Sequence, residues 1–168
     1  MNPSQLVAEE LGGVVLPVSY ARAADALRAA IREREPAVII CFGLADNRDT
    51  VSVERFAHNL DEASTTDNDA ASGSGAEIDP AGPLAFRSTL PVDAIVAALQ
   101  AEGIPAEVSR DAGGFLCNHV FYVLLRDLGE NQTGGFVHVP PLDVLPQDQL
   151  LRAARVIVDT CAPPTSKS

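Results

Sequence analysis

Three cysteines and three histidines are the side chains in this sequence best suited to nucleophilic or acid–base chemistry, and their surroundings differ. Cys117 follows a predicted short strand, Ala106–Ser109, and a Gly113-Gly114 turn, and it opens a predicted amphipathic helix over Cys117–Leu128. A helix N-terminus presents free N–H groups and partial positive charge, which favours a thiolate and can cradle an oxyanion. Cys117 is the candidate nucleophile; the plainer reading is a thiol buried beside Phe115 and Leu116. Cys41 lies inside the apolar run Ala37–Phe42 and reads as core. Cys161 precedes Pro163-Pro164 with no evident base nearby and reads as an incidental thiol.

A thiol nucleophile wants a histidine base. His119 is two residues after Cys117 on the same helix, so it points to a different side. His58, beside Asn59, reads as a surface or structural residue. His138 lies near the carboxyl end of a predicted strand, Gly135–Val139, ended by Pro140-Pro141. In a parallel sheet the Cys117 turn emerges at that same end, which makes His138 the best base; the alternative is a hydrogen-bonded core histidine. The third member of such a set orients the imidazole. Glu54 stands alone as a carboxylate in the strand-like stretch Val51–Phe56 and is the candidate, against a salt bridge to Arg55 or another arginine. Asp67 and Asp69 are rivals in a polar loop.

The elements that must position these groups follow from pattern. Asn2 caps and Pro3 opens a short helix that Gly12-Gly13 ends. Val14–Val18 reads as a short strand, and Ala21–Glu35 as a helix stopped by Pro36. The run Ala37–Phe42 reads as a strand buried on both faces. Residues 64–80 are poor in apolar side chains and read as a mobile loop. Helices over Asp93–Glu102 and Gln147–Thr160 complete the set. Strands and helices alternate with short connections, which predicts an α/β fold: a three-layer α/β/α sandwich around a mostly parallel sheet. A single domain over 1–161 with a frayed tail over 162–168 accounts for the chain.

Composition limits the classes. At 168 residues the chain can bury a core without metals or disulfides. A formal charge of −11 disfavours nucleic acid and anionic membranes as partners, since both need a basic patch. No apolar run approaches the roughly 20 residues of a transmembrane helix, and no signal peptide is evident. Three scattered cysteines fit free thiols in a reducing compartment, and no Cys or His pair has zinc-site spacing.

Several blocks in order carry a family resemblance. They are Val53-Glu54-Arg55-Phe56-Ala57-His58-Asn59, Asp67-Asn68, Ser88-Thr89-Leu90-Pro91 and Gly103-Ile104-Pro105, then Ala112-Gly113-Gly114-Phe115-Leu116-Cys117-Asn118-His119 and Gly135-Phe136-Val137-His138-Val139-Pro140. Together with Arg48 and the Gly-Leu-Ala segment before it, they resemble pyroglutamyl peptidase I, from about Asn2 to Pro140. The resemblance implies an α/β/α sandwich and a cytoplasmic cysteine exopeptidase that removes N-terminal 5-oxoproline from peptides, with no metal or cofactor. It implies Cys117, His138 and Glu54 as the catalytic set, and Phe115, Leu116 and the backbone of Leu44 as the pocket for the lactam ring. Dimers or tetramers of like chains are also implied. The chain is expected to depart from the family in three places: it reads as lacking a counterpart to the first strand and Gly-Phe-x-Pro-Phe-Gly-Gly loop, the stretch Leu11–Pro17 reads as shorter, and Ser64 stands where an arginine is usual. Two expectations therefore stand: a working peptidase in its complete form, or a truncated, weak or inactive relative serving as a binding or interaction domain.

Overall fold

The computed structural model describes residues 2–63 and 65–162. Ser64 and most of the expected tail, 163–168, lie outside the described residues. The first helix, α1 (Pro3–Leu11), starts where predicted: the Asn2 side chain accepts the Ser4 N–H, and Gly12 closes the helix at φ 65°. Helix α2 (Tyr20–Arg34) is capped by Ser19. Strands β1 (Val38–Leu44) and β2 (Val51–Glu54) follow, then a short pair, β3 (Phe56–His58) and β4 (Ala85–Arg87). Helix α3 (Val92–Ala101), β5 (Ala106–Ser109), α4 (Leu116–Asp127), β6 (Thr133–Val139) and α5 (Gln147–Cys161) complete the chain. Cys161 is thus the last helical residue.

The main sheet has the order β1-β6-β2-β5. β1 and β6 are parallel, as are β2 and β5, whereas β2 and β6 are antiparallel. The sheet is therefore mixed, with two parallel pairings out of three. Helices α1, α3 and α5 share one core with Val51, Val53, Val137 and Val139. Helices α2 and α4 share the other with Ile39, Cys41 and Phe136. That is the expected three-layer sandwich. In β1, only Ile39, Cys41 and Gly43 are fully buried, while Val38, Ile40 and Phe42 are half-buried. Both faces of this strand do carry apolar side chains.

Two local expectations change. Val14–Val18 forms no strand: Val14, Val15 and Val18 are exposed, and β-branched residues without a neighbouring strand have no ladder to join. The polar stretch after Ala63 is tied down at several points. Asp67 accepts the N–H groups of Tyr20, Asp69 and Ala71, and Asp69 pairs with Ser19 and Arg22 at the start of α2. Neither aspartate is hydrogen-bonded to His138 or Cys117, so neither rivals Glu54.

Candidate active site

Side chains alternate between the faces of a strand, and this decides which of the candidate residues meet. In the register of the sheet, Gly43 on β1 lies opposite His138 on β6, and His138 lies opposite Ser52 on β2. Cys41, Gly43, Ser52, Glu54, Phe136 and His138 therefore share one face, the one covered by α2 and α4. The valines between them turn to the other core. A period of two thus gathers the polar groups on one side of the sheet.

His138 and Glu54 meet as expected. The His138 Nδ1 lies 2.7 Å from Glu54 Oε1, with both side chains buried. Because a carboxylate only accepts, Nδ1 carries the proton donated to it. That leaves the lone pair of neutral imidazole on Nε2, which has no hydrogen-bond partner among the described residues. Glu54 is also the salt-bridge partner anticipated in the plainer reading: Arg48 Nη1 donates to the same Oε1 at 2.7 Å. Oε2 of Glu54 is buried without a partner. Arg55 pairs with Asp93 instead.

Cys117 reaches this face from above. A Cβ built on Gly43 would stand 2.9 Å from the Cys117 Sγ and 2.8 Å from the Phe136 ring. The sulfur therefore rests on the β1 backbone at Gly43, the residue that pairs with His138. Only glycine permits that approach. The route differs from the one expected. β5 runs antiparallel to β6, so the Cys117 turn does not leave the sheet at the carboxyl end of the His138 strand. The segment 110–115 instead carries the start of α4 back over β1 and β6.

Asn118 holds that helix start in place. It is fully buried; its Oδ1 accepts the His58 N–H, and its Nδ2 donates to the carbonyls of His58 and Leu60. The N–H groups of Leu116 and Cys117 find no acceptor among the described residues, as expected for a first turn. Phe115 precedes the helix with no capping side chain, so both N–H groups remain available to a ligand oxyanion.

Part of Cys117 stays accessible, yet protein atoms surround most of it. Burial pushes its thiol up to about 11; the Glu54 charge adds to this and Arg48 opposes it. Lost solvation thus works against the thiolate that the helix start favours. Burial pushes the core thiol of Cys41 higher still, to about 12.

The remaining histidines are placed as read. His119 Nδ1 pairs with Asp61 at 2.8 Å on the far side of α4. The His58 Nε2 contacts the Arg110 carbonyl. Leu44, Phe115, Leu116, Gly43 and Cys117 line one groove of about 900 Å³, which also borders α1, α2 and the 13–18 segment. No group of three or more His, Cys, Asp or Glu side chains placed to hold a metal occurs among the described residues. No helix among them is long and apolar enough to cross a membrane.

Sequence reasoning missed Gly43, Asn118 and the bridging role of Arg48. All three roles depend on contacts between segments distant in sequence.

Comparison with known proteins agrees across sequence and structure. The family model described as pyroglutamyl peptidase matches residues 1–158. A pyrrolidone-carboxylate peptidase of Clavibacter michiganensis is 47% identical over 127 residues, covering 74% of this chain and 60% of that protein. A Gloeobacter violaceus protein of the same name is 45% identical, covering 76% of this chain and 63% of its own length. The chain thus spans about three fifths of these relatives. The crystal structure of pyroglutamyl peptidase I from Bacillus amyloliquefaciens superposes with a TM-score of 0.90 at 33% identity, over 96% of this chain and 89% of that one. A pyrrolidone carboxyl peptidase from Thermococcus litoralis gives a TM-score of 0.90 at 31% identity, over 95% and 86%.

Proposed function

We infer that the chain, which belongs to the pyroglutamyl peptidase family, acts as a cysteine exopeptidase in the cytoplasm, cleaving the bond after an N-terminal 5-oxoproline. The observation that carries this reading is the register that sets His138 opposite Gly43, with the Cys117 sulfur resting on Gly43 and Glu54 behind the imidazole. Nucleophile, base and orienting carboxylate then lie in the order acyl transfer needs.

The substrate fits the groove chemically. Oxoproline is compact, neutral and partly apolar, which suits a wall built from Phe115 and Leu116 with backbone groups of Leu44 for the lactam amide. A lactam has no ammonium group, so no acidic anchor is needed.

The mechanism starts from a neutral thiol, since the thiol sits near 11. As Sγ attacks the oxoproline carbonyl carbon, its proton passes to Nε2 of His138, and Glu54 steadies the resulting imidazolium. The oxyanion falls to the N–H groups of Leu116 and Cys117. The imidazolium then gives its proton to the departing amine nitrogen as the C–N bond breaks, leaving a thioester on Cys117. Water, losing a proton to Nε2, attacks that thioester. The C–S bond breaks, the sulfur regains the proton, and free 5-oxoproline leaves.

The test is release of a coumarin amine from its pyroglutamyl amide, with Cys117→Ala beside the parent chain. Turnover that disappears in the variant supports the reading. A folded parent chain with no turnover overturns it for this chain, and favours a binding role for the groove.

A further inference from the structure

We propose that Arg48 is a positioning residue of this site, a clamp that joins the carboxylate behind His138 to the turn leading into the Cys117 helix. The proposal rests on the cysteine-peptidase reading of the site. Arg48 lies in the connection between β1 and β2. Its Nη1 donates to Glu54 Oε1 at 2.7 Å, and its Nη2 donates to the Asp111 carbonyl at 2.7 Å. The two contacts use different nitrogens of one planar fork, a geometry that lysine cannot reproduce.

What lies at each end of the fork makes it more than a surface ion pair. Glu54 is fully buried, and Arg48 itself is four-fifths covered. Within the turn that holds Asp111, Ser109 and Asp111 exchange hydrogen bonds and the Asp111 carboxylate accepts the Gly113 N–H; His58 meets the Arg110 carbonyl and the Glu62 N–H donates to the Gly114 carbonyl on either side of it. Five residues past Asp111 the Cys117 helix begins. The Arg48 connection is in turn tied to β6, because the Ala45 N–H donates to the Val139 carbonyl, one residue after His138. One side chain thus links the strand bearing the orienting carboxylate to the approach of the nucleophile, and its backbone segment is fastened beside the base.

Charge adds a second consequence. The ionisable groups around the sulfur are Cys41 on β1, Glu54 on β2, His138 on β6 and Tyr20 on α2. Cys41, Glu54 and Tyr20 contribute negative charge when ionised, and His138 becomes positive only after taking the proton. Arg48 adds a permanent positive charge to this set, and it favours the thiolate.

The experiment compares Arg48→Gln, Arg48→Lys and the double variant Arg48→Gln/Glu54→Gln by two readouts. One is the rate of Cys117 alkylation by iodoacetamide from pH 6 to 10, followed by mass spectrometry so that Cys41 and Cys161 are separated. The other is kcat and KM on the pyroglutamyl amide. Arg48→Gln is expected to slow Cys117 alkylation at pH 8 by about three- to tenfold and to move its rise to higher pH. It should lower kcat by at least that factor with KM within about twofold. Arg48→Lys should restore the alkylation profile but not kcat, since one ammonium cannot hold both acceptors. The double variant should return alkylation towards the parent rate, because opposite charges leave together. An unchanged alkylation profile with unchanged kcat in Arg48→Gln overturns the proposal. If Arg48→Gln does not fold, Arg48→Lys decides, and parental kcat in it overturns the clamp. Absence of turnover in the parent chain would sink the peptidase reading while leaving the alkylation comparison intact.

Discussion

Two histidine–carboxylate pairs flank the same helix start, and by contact distance they are almost identical. His138 meets Glu54 at 2.7 Å on the sheet, and His119 meets Asp61 at 2.8 Å on the far side of α4. Their settings differ. Glu54 is sealed from solvent and braced by Arg48, while Asp61 and His119 each keep about a sixth of their side-chain surface exposed. More decisive is direction: His138 shares a sheet face and a register line with the glycine under the Cys117 sulfur, and His119 does not. A histidine–carboxylate contact is therefore no sign of a catalytic pair by itself. Placement against the nucleophile supplies the distinction.

The largest expected effect separates the two pairs directly. His138→Ala removes the base and should lower kcat/KM by about 10²–10⁴-fold. Steady-state kinetics on a sample with parental circular dichroism checks it; a loss under tenfold would count against His138 as base.

Next in size is Gly43→Ala, which tests the close approach on which the comparison depends. The added methyl would stand within 3 Å of the sulfur and of the Phe136 ring, so one of them must move. A displacement of about 1 Å at a nucleophile can cost 10²-fold in rate, and overpacking costs about 1–3 kcal/mol in stability. Kinetics together with urea unfolding measures both, and parental values in both would show that the sulfur does not rest there.

Asn118→Ala should act mainly through stability. It leaves the His58 N–H and the carbonyls of His58 and Leu60 without their side-chain partner inside the protein. A loss of about 2–4 kcal/mol is expected by thermal or urea unfolding, with a smaller drop in kcat as the helix start loosens.

The contrast between the two pairs also marks what was legible in the sequence. Local rules placed Ala106–Ser109, the Asn2 cap and the Gly12 stop where the structure has them, because each depends on a few adjacent residues. Cys117, His138 and Glu54 were also singled out, and the structure brings them to one sheet face. The reason given for their meeting was wrong, however, since the antiparallel pairing of β2 with β6 is set by connections between distant elements rather than by any local period. The same limit hid Gly43 and the clamp of Arg48. β4 was missed because three residues are too few to display alternation. Val14–Val18 had strand-forming side chains but no neighbour to pair with. The rise of the Cys117 thiol escaped sequence reasoning as well, because burial is a property of the assembled layers and not of the turn that precedes a helix.

The smallest catalytic effect belongs to His119→Ala, and it tests the comparison from the other side. His119 lies two residues beyond Cys117, close enough in sequence that a perturbed helix could mimic a lost base. Its imidazole packs edge-on to Tyr20 and pairs with Asp61, whose backbone is held separately through Ala76 and Gly75. Removing the ring therefore leaves the 59–62 segment anchored and costs one partly exposed pair, about 1 kcal/mol in unfolding experiments. The rate should stay within about threefold of the parent, with an unshifted pH profile, because no proton in the proposed mechanism passes through His119. A loss comparable to that of His138→Ala would mean that sharing a sheet face with the sulfur is not what selects the base, and the assignment of the two pairs would have to be exchanged.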